Sequence, residues 1–558
     1  MTLVNNKRSA GAAHPLLPAE LQQHYREQGY WEDLNLAHFV EHWASTHPER
    51  AAVVGALELT YGQLWDRARR IAGRLLADGV EPGKAVLAVL PNSWQGVVME
   101  LAASIGGWVF VPRAPTVVPA LVERLLEQFD VRGVVLMGDK LEHEEWRTLW
   151  RKHLRVPGRI AMLQGEFEHA ESPDIPVLEA VSVNGPIASP VAVGGGDPCL
   201  VLSTGGTTGS PKSIVHCSNA LVYATRKMAE ALDFTERDVF VSIAPYGHAG
   251  GSLFDIYLPL MHGASVLPVG RWRAPDAAEQ IARWQGTVLK TMGTHVYDLL
   301  GVEGAVDRLA SLRIVTSGAA GAELFLRAER SLKLPIIRNY GCGEVPGHAL
   351  GRLTEPSEYR LSHDGIPFAG MEGKLLDPQT AQEVPQGTPG SYRCRGPNLF
   401  LGYAGQPEVT AAVVDAEGFY DTGDTMVLDS TGYLTWSGRT KDIIRRGGLQ
   451  IDPLELERLL SRHPSVDSVV VVAEPHPRLG ETATAVAVPR AGSAAPSLDE
   501  LCRFLIEQGL PKQELPERLV LLDELPRTDV GKYHRAEIRR RIADSAKHAD
   551  QTAPPASR

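Results

Sequence analysis

The chain has 558 residues and a formal net charge of −11 at neutral pH, and 44% of its residues are hydrophobic. A chain of this length buries several cores and is expected to form about two to four domains. The acidic balance argues against a nucleic-acid scaffold. The five cysteines have no C-x-x-C spacing and are typical of reduced thiols in a cytoplasmic protein: Cys199, Cys217, Cys342, Cys394 and Cys502.

The sequence also argues against export and membrane insertion. No apolar stretch follows Lys7 and Arg8 as it does in a signal peptide. No run of eighteen apolar residues occurs that could form a spanning helix. We therefore expect a cytoplasmic protein with neither a membrane nor a nucleic acid as partner.

Short apolar runs alternate with helical patterns in the first part of the chain. Strands are predicted at residues 86–90, 108–111 and 134–136, and helices at residues 96–105 and 122–129. This alternation predicts parallel sheets covered by helices. The fold class is therefore α/β, with a large N-terminal domain of layered sheets and helices.

A glycine-rich run, STGGTTGSPK at residues 203–212, lies between two predicted strands at residues 199–202 and 213–216. Glycines let backbone N–H groups approach phosphate oxygens, the hydroxyls add donors, and Lys212 adds a cation. An ordinary hydrophilic turn is the alternative interpretation. The run does not match the Walker phosphate loop, because Pro211 precedes the lysine and a strand, not a helix, follows.

The last part of the chain has its own alternation. Helices are predicted at residues 454–460 and 498–506, and strands at residues 466–472 and 519–522. This pattern predicts a small α+β domain. We assign residues 1–437 to the large N-terminal domain, 438–545 to a small mobile C-terminal lid domain and 546–558 to a disordered tail.

Five motifs in a fixed order give the chain a family resemblance. After the glycine-rich run come NYGCGE at 339–344, YDTGD at 420–424, GRTKD at 438–442 with RGG at 446–448, and PRTDVGK at 526–532. Together they resemble the signatures of the acyl-adenylate-forming superfamily of acyl-CoA ligases, adenylation domains and luciferases. The run YREQGYWEDL at 25–34 resembles the opening of the free-standing aryl-acid AMP ligases.

This resemblance implies a site for ATP, Mg²⁺ and coenzyme A. Mg²⁺ would be bound by Glu344 and Thr207, and the ribose by Asp424. The remaining nucleotide and coenzyme A contacts are assigned to residues of the same motifs: Ser203, Thr204, Gly205, Gly206, Thr208, Lys212, Gly318, Ala319, Tyr340, Arg439, Gly447 and Gly448. A glycine replaces the threonine that many family members carry at the position of Gly343, and this removes one hydroxyl contact.

The resemblance implies catalytic roles for two lysines of the predicted lid. Lys532 would contact both the substrate carboxylate and the phosphate, since the two anionic reactants need a neutralising cation. Lys441 would be the hinge about which the lid rotates between an adenylating and a thioester-forming pose. An ordinary loop or linker lysine is the alternative interpretation in each case.

The acid pocket is assigned to His248, Ala249 and Gly250. The run PYGHA at 245–249 resembles the P-x-x-H-N segment of dihydroxybenzoate and salicylate ligases, with alanine in place of the asparagine. Losing that amide removes a polar anchor and adds volume, which favours a bulkier ring. Gly250, Gly251 and Gly321 are expected to widen the cavity further.

The predicted function is ATP-dependent activation of an aromatic acid, bulky, substituted or bicyclic, to an acyl adenylate. Transfer to coenzyme A would then give an aryl-CoA thioester, in secondary metabolism such as antibiotic biosynthesis. An aryl-acid AMP ligase that loads the phosphopantetheine of a carrier protein in trans is the alternative. A regulator that only binds adenylates is disfavoured, because binding alone would not require Lys532 and Glu344. The sequence does not define the oligomeric state.

Overall fold

The computed structural model describes residues 12–154, 159–164, 176–203, 212–318, 322–439, 442–446, 449–528 and 531–542. Several predicted site residues lie outside these ranges: Thr204, Gly205, Gly206, Thr207, Thr208, Ala319, Lys441, Gly447 and Gly448. Gly321 and the predicted tail at 546–558 also lie outside them.

The first sheet of the large domain has nine strands among the described residues. Its central five strands, from Ile336–Tyr340 to Ser265–Pro268, are parallel. The order from one edge is Ile366–Pro367, Ala349–Leu350, Ile336–Tyr340, Ile314–Gly318, Val288–Met292, Val239–Ser242, Ser265–Pro268, Ala51–Val53 and Leu59–Thr60.

A second sheet of seven described strands carries the glycine-rich run. Its strands Pro198–Ser203 and Ser213–Cys217 are antiparallel neighbours, so the run between them joins adjacent strands. The order is Gly402–Tyr403, Ser213–Cys217, Pro198–Ser203, Val109–Arg113, Ala85–Val89, Val131–Met137 and Ile160–Gln164.

The later part of the large domain adds an antiparallel sheet of four described strands. Their order is Glu372–Leu376, Gly390–Arg395, Tyr420–Leu428 and Leu434–Arg439. The pairing of the last two strands sets Asp424 opposite Arg439. This register brings together two residues that come from separate motifs.

The small C-terminal domain has a sheet of five described strands. Four of them follow the order Leu449–Ile451, Ile444–Arg446, Gly480–Pro489 and Val466–His476. The fifth strand, Arg518–Leu521, also pairs with Gly480–Pro489. Helices Pro453–Leu460 and Leu498–Glu507 pack on one face through buried residues such as Leu456 and Leu501. Ile538 and Ile542 contribute to a separate small core that includes Val470 and Val486.

Helices cover the sheets of the large domain, and the largest hydrophobic core lies between them. None of the helices in the described ranges is long and apolar enough to cross a membrane. The other helical segments are Ala19–Glu27, Leu36–Thr46, Tyr61–Ala77, Trp94–Gly106, Pro119–Gln128, Gly138–Glu142, Glu144–Leu149, Trp150–Leu154, Leu178–Asn184, Ser218–Ala231, Gly250–Tyr257, Leu258–Met261, Ala274–Trp284, Gly293–Leu300, Ala305–Arg308, Ala322–Leu332, Ser357–Arg360, Pro407–Ala411 and Lys512–Glu514.

The α/β fold with a large N-terminal and a small C-terminal domain is confirmed. The predicted strands at 86–90, 108–111 and 134–136 correspond to three adjacent parallel strands. The boundary at 437/438 stays a prediction. The four-stranded antiparallel sheet at residues 372–439 was not predicted, because its strands lack continuous apolar runs and buried residues alternate with more exposed ones along them.

The segment Gly250–Tyr257, which we call the pocket helix, is a wide helical segment whose start depends on Gly251. A Cβ atom at Gly251 would lie 2.2 Å from the carbonyl oxygen of Pro245. The expectation that Gly251 widens a cavity is therefore wrong: glycine is needed there for close contact between two backbone segments. A Cβ atom at Gly250 would lie 3.0 Å from the Cβ of Ala244, so this position also faces protein.

We expect Gly251→Ala to lower the free energy of unfolding by about 1–3 kcal/mol, since the added methyl group forces a backbone shift. The matched control is Gly301→Ala, where a Cβ atom would lie no closer than 3.5 Å to its nearest neighbour. Urea unfolding of both variants provides the measurement. Equal stability of the two variants would contradict the packing argument.

Candidate active site

Two neighbouring parallel strands of the nine-stranded sheet end at the candidate nucleotide site. They are Ile314–Gly318 and Ile336–Tyr340. A Cβ atom at Gly318 would lie 2.9 Å from the carbonyl oxygen of Asn339, so glycine permits the close approach of the two strand ends. Ligands of open α/β sheets bind beyond the carboxyl ends of the strands, which is where Gly318 and Tyr340 lie.

The Asp424 carboxylate is the most highly coordinated acidic group of this site. It is 2% exposed. The Tyr340 hydroxyl donates to one oxygen at 2.7 Å, the Trp436 indole N–H donates to the other at 3.2 Å, and the Arg439 guanidinium contacts that second oxygen at 2.9 Å. Burial, with the Asp424 charge nearby, raises the pKa of Tyr340 well above its ordinary value, so its hydroxyl remains a donor.

Glu344 is held in place by a tyrosine that contacts a lysine. The Tyr403 hydroxyl donates to Glu344 Oε1 at 2.6 Å, and the Lys212 ammonium lies 4.5 Å from the centre of the Tyr403 ring. The motif lysine at 212 and the motif glutamate at 344 are thereby brought together. Among the described residues, no group of three or more His, Cys, Asp and Glu side chains could hold a metal ion.

Ile214 occupies the space that a side chain at position 343 would need. A Cβ atom there would lie 2.4 Å from Ile214 Cδ1, so the isoleucine side chain fills the space of a larger residue. His216 on the same strand forms a 2.7 Å hydrogen bond to the carbonyl oxygen of Gly343. Burial lowers the pKa of His216 to about 4, so a neutral imidazole makes this contact.

Lys532 reaches the site from the small domain. Desolvation, with the Arg439 charge, lowers its pKa, although its side chain remains accessible to solvent. The preceding Gly531 packs closely on the helix Gly293–Leu300: a Cβ atom there would lie 2.8 Å from His295 Nε2. Lys532 therefore lies within electrostatic reach of Arg439 and Asp424.

Three further contacts dock the small domain onto the large one. The Tyr297 hydroxyl donates to Asp467 at 2.6 Å, and Arg527 pairs with Asp298 at 3.3 Å. Arg462 lies 3.3 Å from Glu323. Two of these pairs lie on the helix Gly293–Leu300, which is therefore the main docking element for the lid.

The acid-pocket residues lie next to the glycine-rich run. The Ser203 N–H and hydroxyl both donate to the carbonyl oxygen of Gly247, at 2.9 and 3.2 Å. His248 and Ala249 follow directly and are partly exposed. The carbonyl oxygen of His248 accepts hydrogen bonds from the first residues of the pocket helix. The start of the glycine-rich run is thus fixed against the predicted pocket.

Sequence reasoning missed several residues that the structure brings to the site. Tyr403 and Trp436 position Glu344 and Asp424, and nothing in their local sequence identifies them. Lys290 and Asp255 left a clearer signal, since each is a charged residue inside an apolar run, at 288–292 and 252–258. Charged residues in buried elements are rare unless paired or functional.

The family comparisons agree with this arrangement. The model of the AMP-binding enzyme family matches residues 40–404, and that of the AMP-binding enzyme C-terminal domain matches residues 455–532. The chain belongs to the AMP-binding enzyme family. This confirms the resemblance to the acyl-adenylate-forming superfamily and the expectation of an acid–thiol ligase.

Similar proteins cover almost the whole chain. A medium-chain fatty-acid–CoA ligase of Escherichia coli K12 is 31% identical, over 93% of this chain and 92% of the relative. A salicylyl-CoA synthase / salicylate adenylyltransferase of a Streptomyces species is 31% identical, over 94% and 96%. The ATP-bound crystal structure of MatB from Rhodopseudomonas palustris superposes with a TM-score of 0.83 at 24% identity, over 92% and 100%.

We expect Tyr403→Phe to lower the free energy of unfolding by about 1.5–3 kcal/mol, because a buried hydrogen bond to a carboxylate is lost. The control is Tyr359→Phe, whose hydroxyl bonds Thr431 at 2.9 Å and the Asp429 carboxylate at 3.4 Å in a more exposed place and should cost less. Urea unfolding measures both effects. Similar losses in the two variants would show that the Tyr403–Glu344 bond contributes little.

Proposed function

We propose that this enzyme converts an aromatic carboxylic acid to its coenzyme A thioester through an acyl adenylate formed from ATP. The observation that carries the proposal is that Lys532 of the small domain lies within electrostatic reach of the Arg439–Asp424 pair of the large domain. Two motifs from separate domains thus meet at one cleft. A protein that only binds nucleotides would not need a mobile cation at that point.

The first half-reaction joins two anions. A carboxylate oxygen of the acid attacks the α-phosphorus of ATP, the bond to the bridging oxygen breaks, and pyrophosphate leaves with its electron pair. Lys532 and Arg439 offset the repulsion between carboxylate and phosphate, which is large at low dielectric. In the second half-reaction, the thiol sulfur of coenzyme A attacks the acyl carbonyl carbon, AMP leaves, and the thiol proton passes to solvent.

The nucleotide contacts follow the sequence motifs. The Asp424 carboxylate would accept the ribose hydroxyls, with Tyr340 and Gly318 beside the adenine and Ser203 and Lys212 beside the phosphates. Glu344, with Thr207, would hold Mg²⁺, in the usual pattern of one or two protein carboxylates plus phosphate oxygens. When bound, Mg²⁺ would neutralise phosphate charge.

Two relatives support coenzyme A as the acceptor, and one of them supports an aromatic acid as the substrate. The salicylyl-CoA synthase acts, by its name, on an aromatic acid, and both curated relatives described above are named for CoA products. A third relative, 28% identical, is named for a bicyclic propanoyl substrate and comes from Rhodococcus jostii RHA1. These names support the bulky ring that Ala249 favours, and secondary metabolism in the cytoplasm remains part of the proposal.

The thioester half-reaction requires a second arrangement of the small domain. We assign the hinge to Lys441 and the walls of the pantetheine tunnel to Gly447 and Gly448, all on the basis of the motif order. The docking contacts between Arg527 and Asp298 and between Tyr297 and Asp467 would have to break during this rotation. They are few and polar, which suits a reversible interface.

We expect Lys532→Ala to slow acyl-adenylate formation by on the order of 10²- to 10³-fold, because one preorganised charge contact is lost. Thioester formation from supplied acyl adenylate should continue at the wild-type rate. ATP–pyrophosphate exchange and single-turnover thioester assays separate the two steps. The exposed Lys512→Ala, in the same domain, is the control. Equal losses in both half-reactions of a folded Lys532→Ala enzyme would refute the assigned role.

We expect Ala249→Asn to shift the relative kcat/KM by about 1–3 kcal/mol toward small ortho-hydroxy acids, since the amide restores a polar anchor and removes volume. The wild type should prefer bulky bicyclic or alkyl-substituted aromatic acids over 2,3-dihydroxybenzoate. Ala249→Val, which removes similar volume without an amide, should not gain the hydroxy preference. A wild-type preference for dihydroxybenzoate over every larger acid would show that another residue anchors the ring.

A further inference from the structure

A lysine lies on a central strand of the nine-stranded sheet, where apolar residues are the rule. Lys290 belongs to Val288–Met292 and pairs in register with Thr316 of Ile314–Gly318. It is only partly buried, whereas its neighbours Leu289 and Thr291, which point to the other face, are buried. Part of the Lys290 side chain is therefore accessible from the face that carries Gly318.

The depth of Lys290 in the sheet can be read from the strand register. Met292 pairs with Gly318 at the carboxyl end of the strands, and Lys290 pairs with Thr316 two residues earlier on the same face. Two residues of a strand span about 6.6 Å. Lys290 thus lies one step below the layer that contains Gly318.

The pocket helix covers this face and supplies the neighbours of Lys290. The ammonium lies 5.3 Å from the centre of the Phe254 ring. The charged groups that act on it are Asp255 of the pocket helix and Lys532 of the small domain. Among the described residues, Lys290 has neither a hydrogen bond nor an ion pair within 4 Å.

Two buried polar atoms near Lys290 also have no hydrogen-bond partner among the described residues. They are Asp255 Oδ1 and Thr316 Oγ1, in side chains that are 0% and 2% exposed. The other Asp255 oxygen accepts from the Ala244 N–H at 3.0 Å. Burial raises the pKa of Asp255 well above its ordinary value, so the carboxyl offsets the Lys290 charge incompletely. The Ser242 hydroxyl acts as a donor to the Asp255 carboxyl. A buried hydroxyl such as that of Thr316 is normally satisfied, so Thr316 Oγ1 indicates a missing partner.

We propose that Lys290, with Thr316 and Asp255, forms an acceptor-binding subsite at the floor of the acid pocket. It selects acids that carry a carbonyl or carboxylate oxygen at the end remote from the reacting carboxyl group. The reacting carboxylate lies at Lys532 and the remote oxygen accepts a hydrogen bond from Lys290. The inference rests on the proposed function, because it takes the space beside Lys532 as the acid pocket.

Matched adenylate analogues test the subsite without turnover. The probes are 5′-O-(N-acylsulfamoyl)adenosines of three acid pairs in which an acetyl group replaces an isopropyl group of nearly equal shape: 4-substituted benzoate, 3-substituted benzoate and 6-substituted 2-naphthoate. Calorimetry gives their Kd values with the full-length protein. We expect the acetyl member of at least one pair to bind about tenfold more tightly or better, as for one hydrogen bond to a charged donor.

Two variants and one control test whether this preference arises from Lys290 and Thr316. Lys290→Met should reduce the ratio of the two Kd values to about one, and Thr316→Val should reduce it partly. Thr291→Val removes a hydroxyl on the opposite face of the sheet that donates to the carbonyl oxygen of Thr316 at 3.2 Å, and this variant should keep the wild-type ratio because the Thr316 hydroxyl stays. Burial lowers the pKa of Lys290 to about 8, so the wild-type ratio should fall as the pH rises through that value and the ammonium loses its proton. The ratio in Lys290→Met should not change with pH.

Two outcomes would overturn the subsite. One is a wild-type ratio near one for all three pairs. The other is an equal loss of affinity for both members of a pair in Lys290→Met, which would indicate a structural role. Failure of the proposed function has a different signature: no acid would give AMP and a coenzyme A thioester with ATP, whatever the Kd ratios of the analogues.

Discussion

The buried Asp424 carboxylate is the contact on which the rest of the site depends. It joins the nine-stranded sheet, through Tyr340, to the antiparallel sheet, through Trp436 and Arg439. Removing any one donor would leave a buried negative charge less well compensated, which is expensive in a protein interior. The geometry of the cleft therefore follows from satisfying one carboxylate with donors from separate parts of the chain.

The same cleft collects positive charge from both domains. Arg439 pairs with Asp424, while Lys532 and Lys290 have lowered pKa values because burial and nearby cations disfavour their charged forms. Lysines whose charged form is disfavoured in this way are typical of a site that binds anionic reactants, because a bound anion stabilises the ammonium. The fold tolerates the repulsion because Lys532 lies on a separate domain joined by a few polar contacts, including Arg527 with Asp298.

The sequence predicted elements well where the apolar pattern was continuous. The buried parallel strands around Ala85–Val89 and the helices Pro453–Leu460 and Leu498–Glu507 follow directly from apolar runs and helical spacing. The antiparallel strands Gly390–Arg395 and Tyr420–Leu428 were missed because only alternate residues are buried. Gly251 was misread as a source of volume, since a glycine in a sequence does not show which backbone atom lies against it.

The sequence by itself determined the family and its chemistry, because the motifs around Glu344, Asp424 and Lys532 are local strings whose order reads directly from the chain. It also identified where charge would be needed. Only the tertiary structure decided that Tyr403 holds Glu344, that Trp436 contacts Asp424, and that Lys290 lies below Gly318. Trp436 and Asp424 are 12 positions apart, Tyr403 and Glu344 are 59 apart, and Lys290 and Gly318 lie on neighbouring strands. Strand register and helix packing set such distances, and neither is encoded in any short stretch of sequence.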